Sequence, residues 1–294
     1  MKGLKAMTKL TFTTTGAWDR ADGFGCASLG LAGVCGNAEN RTVCREYDAE
    51  SAAFTGTYEK ILAGVQEFIK KTPVYGAIAL FGNAGGENRF MQQLCRMLSC
   101  PIVGGGAAID GATGRKALLT GGGECALLLF TDDRYTYTAE TQCIHTAVLQ
   151  ECAVTMADPR TLRTIDGVDA AAFLAEKKAQ LGLTAEDFEH LTLSDLDDVN
   201  AHLSIDQGII KSGRDVCERM KLRLVAQETV YDTMRAFYDD PDAIVFGCAG
   251  LSGLLEKPLD TDSLGLFLFG EVCTVKGKAE FGNLMLSKLK ILKK

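Results

Sequence analysis

A chain of 294 residues that is 47% hydrophobic and 23% charged has enough apolar content for two domains of ordinary size or one large core. Acidic side chains outnumber basic ones by 38 to 31, and the net charge of −7 repels a phosphate backbone; only the short tail of Lys288, Lys290, Lys293 and Lys294 offsets it, so nucleic acid is not an expected partner. The longest apolar runs, 77–81 and 264–269, fall far short of the roughly 20 residues that cross a bilayer, and residues 1–12 lack the continuous apolar block of a secretory signal, which makes the cytoplasm, away from any membrane, the expected location.

Along the chain, Phe54, Tyr58, Ile61, Leu62, Val65, Phe68 and Ile69 recur at helical spacing and end in Lys70, Lys71 and Pro73, a basic last turn followed by a breaker, so an amphipathic helix is predicted. The nearly continuous apolar run 74–81 predicts a strand covered on both faces. Gly82-Asn83-Ala84-Gly85-Gly86 turns into a second helix with Phe90, Met91, Leu94, Cys95 and Leu98 on its inner side. Residues 101–108 and 125–130 read as further strands joined through glycine-rich turns, and strands continue over 135–155. Then come an alanine-rich helix over 166–181, a short one over 184–188, a polar Asp-rich connection at 194–198 and a helical stretch over 225–238, with Val230, Met234, Phe237 and Tyr238 inward.

The order of the first half recurs in the second. Ala77-Ile78-Ala79-Leu80-Phe81-Gly82-Asn83-Ala84-Gly85 aligns, with one gap, to Ala243-Ile244-Val245-Phe246-Gly247-Cys248-Ala249-Gly250, each preceded by an amphipathic helix and followed by an apolar strand and a glycine turn. An internal duplication accounts for this better than coincidence in Ala/Gly-rich sequence. The expected division is 1–158 and 159–294, at Asp158-Pro159. Eleven cysteines, an odd number with no Cys-x-x-Cys pair, read as reduced thiols that pack as small hydrophobes, without a zinc site or a disulfide framework.

Residues 263–272, a Lys276-Gly277-Lys278 turn and residues 280–286 resemble the closing hairpin of the FIST C domain, in which glycine, an aromatic residue and Gly-Glu on one strand precede a turn and an asparagine entering a final apolar strand. Pro101-Ile102-Val103-Gly104-Gly105-Gly106-Ala107-Ala108, with the helix and strand before it, is similar to the N domain of the same family. The resemblance spans about residues 54–292. It implies paired N and C sensory domains of intracellular signal transduction, proposed to bind small ligands such as amino acids, with haem bound in some members. Two departures stand out: the chain is short for a full pair, and Leu251, Ser252 and Gly253 follow Gly250 where many members place an arginine, which argues against an anionic ligand.

Gly82 to Gly86 lies between a strand and a helix, so its backbone N–H groups suit an anion, yet the spacing also fits a plain tight turn. Cys248 occupies the equivalent place in the second half, at the carboxyl end of a strand where ligands collect in α/β sheets; a buried structural thiol is the competing reading. Glu271 interrupts an otherwise apolar run, so it either ends the strand in solvent or faces a pocket, with Asn283 across the hairpin to bond it or a shared ligand. His145, His190 and His202 stand outside any metal or haem-attachment motif, and Asp195, Asp197, Asp198 and Asn200 lack the glycine and glutamate of a calcium loop.

The fold expected is α/β, two pseudo-duplicated halves with mixed sheets flanked by helices in a four-layer αββα sandwich. The function expected is small-ligand sensing through a separate partner protein, at a site between the halves lined by Gly82, Asn83, Gly104, Gly105, Gly106, Cys248, Gly270, Glu271 and Asn283. An enzyme working through Cys248 or Glu271, and a haem-binding sensor, are the alternatives; no cofactor is assigned.

Overall fold

The computed structural model describes residues 7–13, 23–27, 30–32, 42–82, 85–107, 119, 122–184, 190–227, 230–255, 257, 259, 261, 263–275 and 278–294. Asn83 and the short helix expected over 184–188 fall wholly or mainly outside them. The chain is α/β, and among the described residues no helix is long and apolar enough to cross a membrane.

The centre is a ten-stranded mixed sheet in the order Ser51–Gly56, Cys125–Phe130, Gly76–Phe81, Ile102–Gly106, Leu264–Val275, Ala243–Cys248, Met285–Lys293, Tyr135–Cys143, with Gly30–Ala32 and Lys278–Gly282 also paired to Leu264–Val275. Gly76–Phe81 lies parallel to Ile102–Gly106 and antiparallel to Cys125–Phe130. Ala243–Cys248 has matching neighbours, parallel Leu264–Val275 and antiparallel Met285–Lys293. The two aligned apolar segments therefore hold corresponding places on either side of the sheet's midline.

Side chains in a strand alternate between faces, and the two faces here have different covers. Ile78, Leu80, Phe246, Leu266 and Leu289 pack on one face with Leu10, Phe12 and Phe24 of a three-stranded sheet made of Phe24–Ala27, Thr8–Thr13 and Thr42–Tyr47. Ala77, Ala79 and Phe81 pack on the other with Ile61 and Val65 of helix Tyr58–Ile69 and Phe90, Met91 and Leu94 of helix Glu87–Met97. Val245, Phe267 and Leu286 pack there with Met234 and Phe237 of helix Val230–Tyr238. Among the described residues the central sheet is thus the middle of three layers, with the three-stranded sheet on one face and the helices on the other.

The helix boundaries sharpen the sequence reading. Phe54 belongs to strand Ser51–Gly56, because Gly56, at φ +138°, ends that strand and Thr57 caps the helix by accepting the Lys60 N–H. Val225 likewise belongs to strand Lys221–Ala226, ahead of its helix.

Between Tyr135–Cys143 and helix Val230–Tyr238 the chain builds a second sheet of eight strands, in the order Asn200–Ala201, Leu191–Asp195, Lys221–Ala226, Ala147–Asp158, Thr161–Ile165, Ile209–Ser212, Leu203–Asp206, with Val168–Asp169 beside Thr161–Ile165. Helix Ala170–Gln180 closes its core through Phe173 and Leu174. Asp158 pairs with Thr161, so Asp158-Pro159 sits in the turn of one hairpin, and the central sheet takes strands from both sides of that point.

The closing segment also differs from a simple hairpin. Leu264–Val275 pairs with Lys278–Gly282, but at Leu284, φ +54°, the chain turns away and Met285–Lys293 crosses to lie between Ala243–Cys248 and Tyr135–Cys143. Lys288 and Lys290 are therefore not a solvated tail: Lys288, 7% exposed, pairs with Glu140 at 3.0 Å and Asp240 at 3.5 Å, and Lys290 with Asp240 at 2.7 Å.

Candidate functional site

Leu264–Val275 is long enough to pair with different partners along its length. Its Leu268 pairs with Cys248, the last residue of one strand, and its next residue, Phe269, with Gly106, the last residue of another. Carboxyl ends from both halves of the sheet thus meet at one level, the place where ligands collect in open α/β sheets. A bulge interrupts the pairing between Phe269 and Glu271, and Gly270 takes φ +73° there. Only glycine fits, since a Cβ would stand 2.5 Å from the Phe281 ring and 3.0 Å from Asn283 Nδ2.

A cavity of about 490 Å³ opens at this level, within the size range of small-molecule sites. The central sheet and its helices contribute Gly85, Glu87, Cys248, Gly270, Phe281 and Asn283; the second sheet contributes Arg160, His202 and Gly213. Phe269 also lines it and is 41% exposed, large for an aromatic side chain in a folded core.

Glu87 begins its helix, where a carboxylate is favoured by the N-terminal dipole. It is only 4% exposed, and its Oε1 accepts the Gly85 N–H at 2.9 Å and the Tyr58 hydroxyl at 3.4 Å. Its Oε2 stands 3.8 Å from the Arg160 guanidinium, whose Nε donates to Asp215 at 3.2 Å. Arg160 sits at φ +59° in the turn after Pro159. Asn283 ties the two sheets together: its Oδ1 accepts the His202 N–H at 3.4 Å, and its own N–H donates to Asn200 O at 3.2 Å.

Behind the cavity wall lies a group of buried polar side chains. Glu271 is 0% exposed; its Oε2 accepts the Met285 N–H at 3.2 Å, and its Oε1 has no hydrogen-bond partner. Burial holds its carboxyl well above the usual carboxylate range, with the hydrogen bond from the Met285 amide drawing it part of the way back. Burial likewise raises the Cys248 thiol far above its ordinary value, helped by the nearby Glu271, while the amides of Leu284, Gly250 and Gly270 oppose the shift. The Tyr238 hydroxyl, also without a partner, is pushed up by burial and by Glu271. Burial thus favours the protonated, uncharged form of each of the three.

Of the residues expected at the site, Cys248, Gly270 and Asn283 line the cavity and Glu271 stands behind them. Asn283 bonds the second sheet, and the Glu271 carboxylate takes its hydrogen bond from Met285 instead. Gly82 and Gly104 to Gly106 do not line it. The Gly82 N–H donates to Glu124 O at 2.7 Å, and a Cβ would stand 1.9 Å from Ala79 O on Gly104 and 2.3 Å from Gly270 O on Gly105, so Gly104 and Gly105 serve close strand packing. Sequence reasoning missed Glu87, Arg160 and His202. Glu87, directly after the Gly85-Gly86 turn, carried a visible signal as a helix-opening acid; Arg160 and His202 carried none, because their place depends on how the second sheet docks. Arg160 supplies a guanidinium to the cavity from the hairpin turn after Pro159. Among the described residues no group of three or more His, Cys, Asp or Glu side chains is placed to hold a metal ion. The sequence matches no family model and no curated protein.

Proposed function

We propose that the protein is an intracellular sensor that binds a small molecule in this cavity and passes its occupancy to a separate partner protein. The observation that carries the reading is a cavity of about 490 Å³ at the level where the strands of both halves end, lined by Cys248 and by Phe269, the pairing partner of Gly106, and walled by the second sheet. On its lining Glu87 and Arg160 form a loose ion pair at 3.8 Å, and these two charges match the ammonium and carboxylate of a zwitterion of the amino-acid class. The FIST-like closing strands support the same reading. Occupancy that engages Arg160, in a hairpin turn of the second sheet, and Glu87, at the start of a helix on the central sheet, alters how the two parts are held together, which gives a partner something to detect.

An enzyme working through Cys248 is disfavoured by burial, which keeps the thiol protonated and unreactive. The test is a thermal-shift screen with amino acids and related metabolites. A ligand at a hundredfold its dissociation constant stabilises the folded state by about 2.7 kcal/mol. No stabilisation by any of them at millimolar concentration counts against the proposal, and a haem absorption band after reconstitution would move it to a haem sensor.

A further inference from the structure

A second cavity, of about 530 Å³, lies beside the first and shares Phe281 with it. Helix Glu87–Met97 forms one wall through Gln92 and Arg96, strand Lys278–Gly282 another through Lys278 and Glu280, and Arg214 and Asp215 of the second sheet a third. Met91 and Phe281, 1% and 7% exposed, make an apolar floor.

The charges of this lining do not balance. Its two acids are already engaged: Asp215 with Arg160 at 3.2 Å, and Glu280 with Arg214 at 3.7 Å. Arg214 is further held by Asp195 at 2.7 Å and by Val199 O at 2.8 Å. Arg96 and Lys278 make no ion pair among the described residues. In a chain of net charge −7, two unpaired cations on one concave surface stand apart from the general electrostatics. A flat solvated surface would leave such cations to water, but a concave one brings both to bear on a single enclosed group.

We infer that this second cavity binds an anionic group, a phosphate or a carboxylate, carried on a small molecule whose apolar body rests on Met91 and Phe281. Arg96 and Lys278 hold the anion, with the Gln92 amide available as a further donor. The inference stands apart from the ligand of the first cavity.

The test is calorimetric titration of the full chain with phenyl phosphate, benzoate and the neutral benzyl alcohol. The two anions distinguish a phosphate from a carboxylate site, and either one binding, with affinity falling as salt is raised and with benzyl alcohol inert, is expected. The double variant Arg96→Gln/Lys278→Gln, at exposed positions that leave folding intact, weakens that binding by at least about tenfold. Phe269→Ala, which alters the first cavity alone, changes it by less than about twofold. Equal binding of benzyl alcohol, unchanged affinity in the double variant, or no binding of either anion at millimolar concentration overturns the inference, and a ligand of the first cavity that survives the double variant shows that the failure lies here alone.

Discussion

Glu271→Gln isolates the buried carboxyl at the heart of the site. Burial raises the Glu271 pKa well above its ordinary range in the folded protein, whereas in the unfolded chain the same group ionises at about 4.3. Between those two values the native state binds one more proton than the unfolded state. Stability contributed by the group is therefore complete below about pH 4.3 and declines as pH rises toward the folded pKa, by about 1.4 kcal/mol per pH unit. Glutamine keeps an oxygen to accept the Met285 N–H but has no proton to lose. Its amide NH2, placed where Oε1 lacks a partner, costs about 1–3 kcal/mol at every pH and so leaves the slope untouched. Cys248 stays protonated in both states over this range, so the window that opens above about pH 4.3 and closes at the raised folded pKa belongs to Glu271 in the comparison of the two proteins. Urea unfolding of both proteins across that window is expected to show the variant gaining on the wild type by about 1.4 kcal/mol per pH unit. A separation that stays constant, or one that narrows with pH, refutes the reasoning by showing that the buried carboxyl is ionised in the native state.

Gly104→Ala should be among the most damaging single changes, losing at least about 3 kcal/mol in urea unfolding, because a Cβ at φ +141° would lie 1.9 Å from Ala79 O, within the pairing of two central strands. Gly270→Ala meets the Phe281 ring and a left-handed backbone, and is expected to cost about 1–3 kcal/mol and to abolish ligand-dependent thermal shifts. Asp132→Asn should flatten the acid limb of the stability curve: the Arg134 guanidinium beside Asp132 holds its carboxyl below the usual range, so the stability it contributes is present above about pH 3.9 and lost as pH falls below that. Iodoacetamide at neutral pH is expected to modify the exposed Cys44 and Cys217 in the native protein and Cys248 only after unfolding, read by peptide mass; early modification of Cys248 would revive the enzymatic reading.

Some of this molecule was legible before folding was considered. The run 125–130 is a strand with those limits, and the strand expected over 74–81 is Gly76–Phe81, because continuous apolar runs of that length have one good solution, burial on both faces. Glu271 drew attention for a sound reason, since a lone acid in an apolar strand must find a physical accommodation. Glycine, by contrast, is ambiguous: at Gly82, Gly104 and Gly105 the structure shows close backbone approach between neighbouring segments. Nothing local distinguishes a glycine that makes room for a ligand from one that makes room for a carbonyl.

Periodicity, strand-forming runs, the recurrence of one apolar segment and the oddity of Glu271 are properties of short stretches, and local sequence determined them. The tertiary structure decided what depends on residues far apart in the chain. It split the closing segment at Leu284 and drew Lys288 and Lys290 into ion pairs with Glu140 and Asp240. It also brought Arg160 within 3.8 Å of Glu87, 73 residues earlier in the sequence. Docking of one sheet on another is set by the sum of many small packing terms over two surfaces, so no single residue announces which guanidinium will meet which carboxylate.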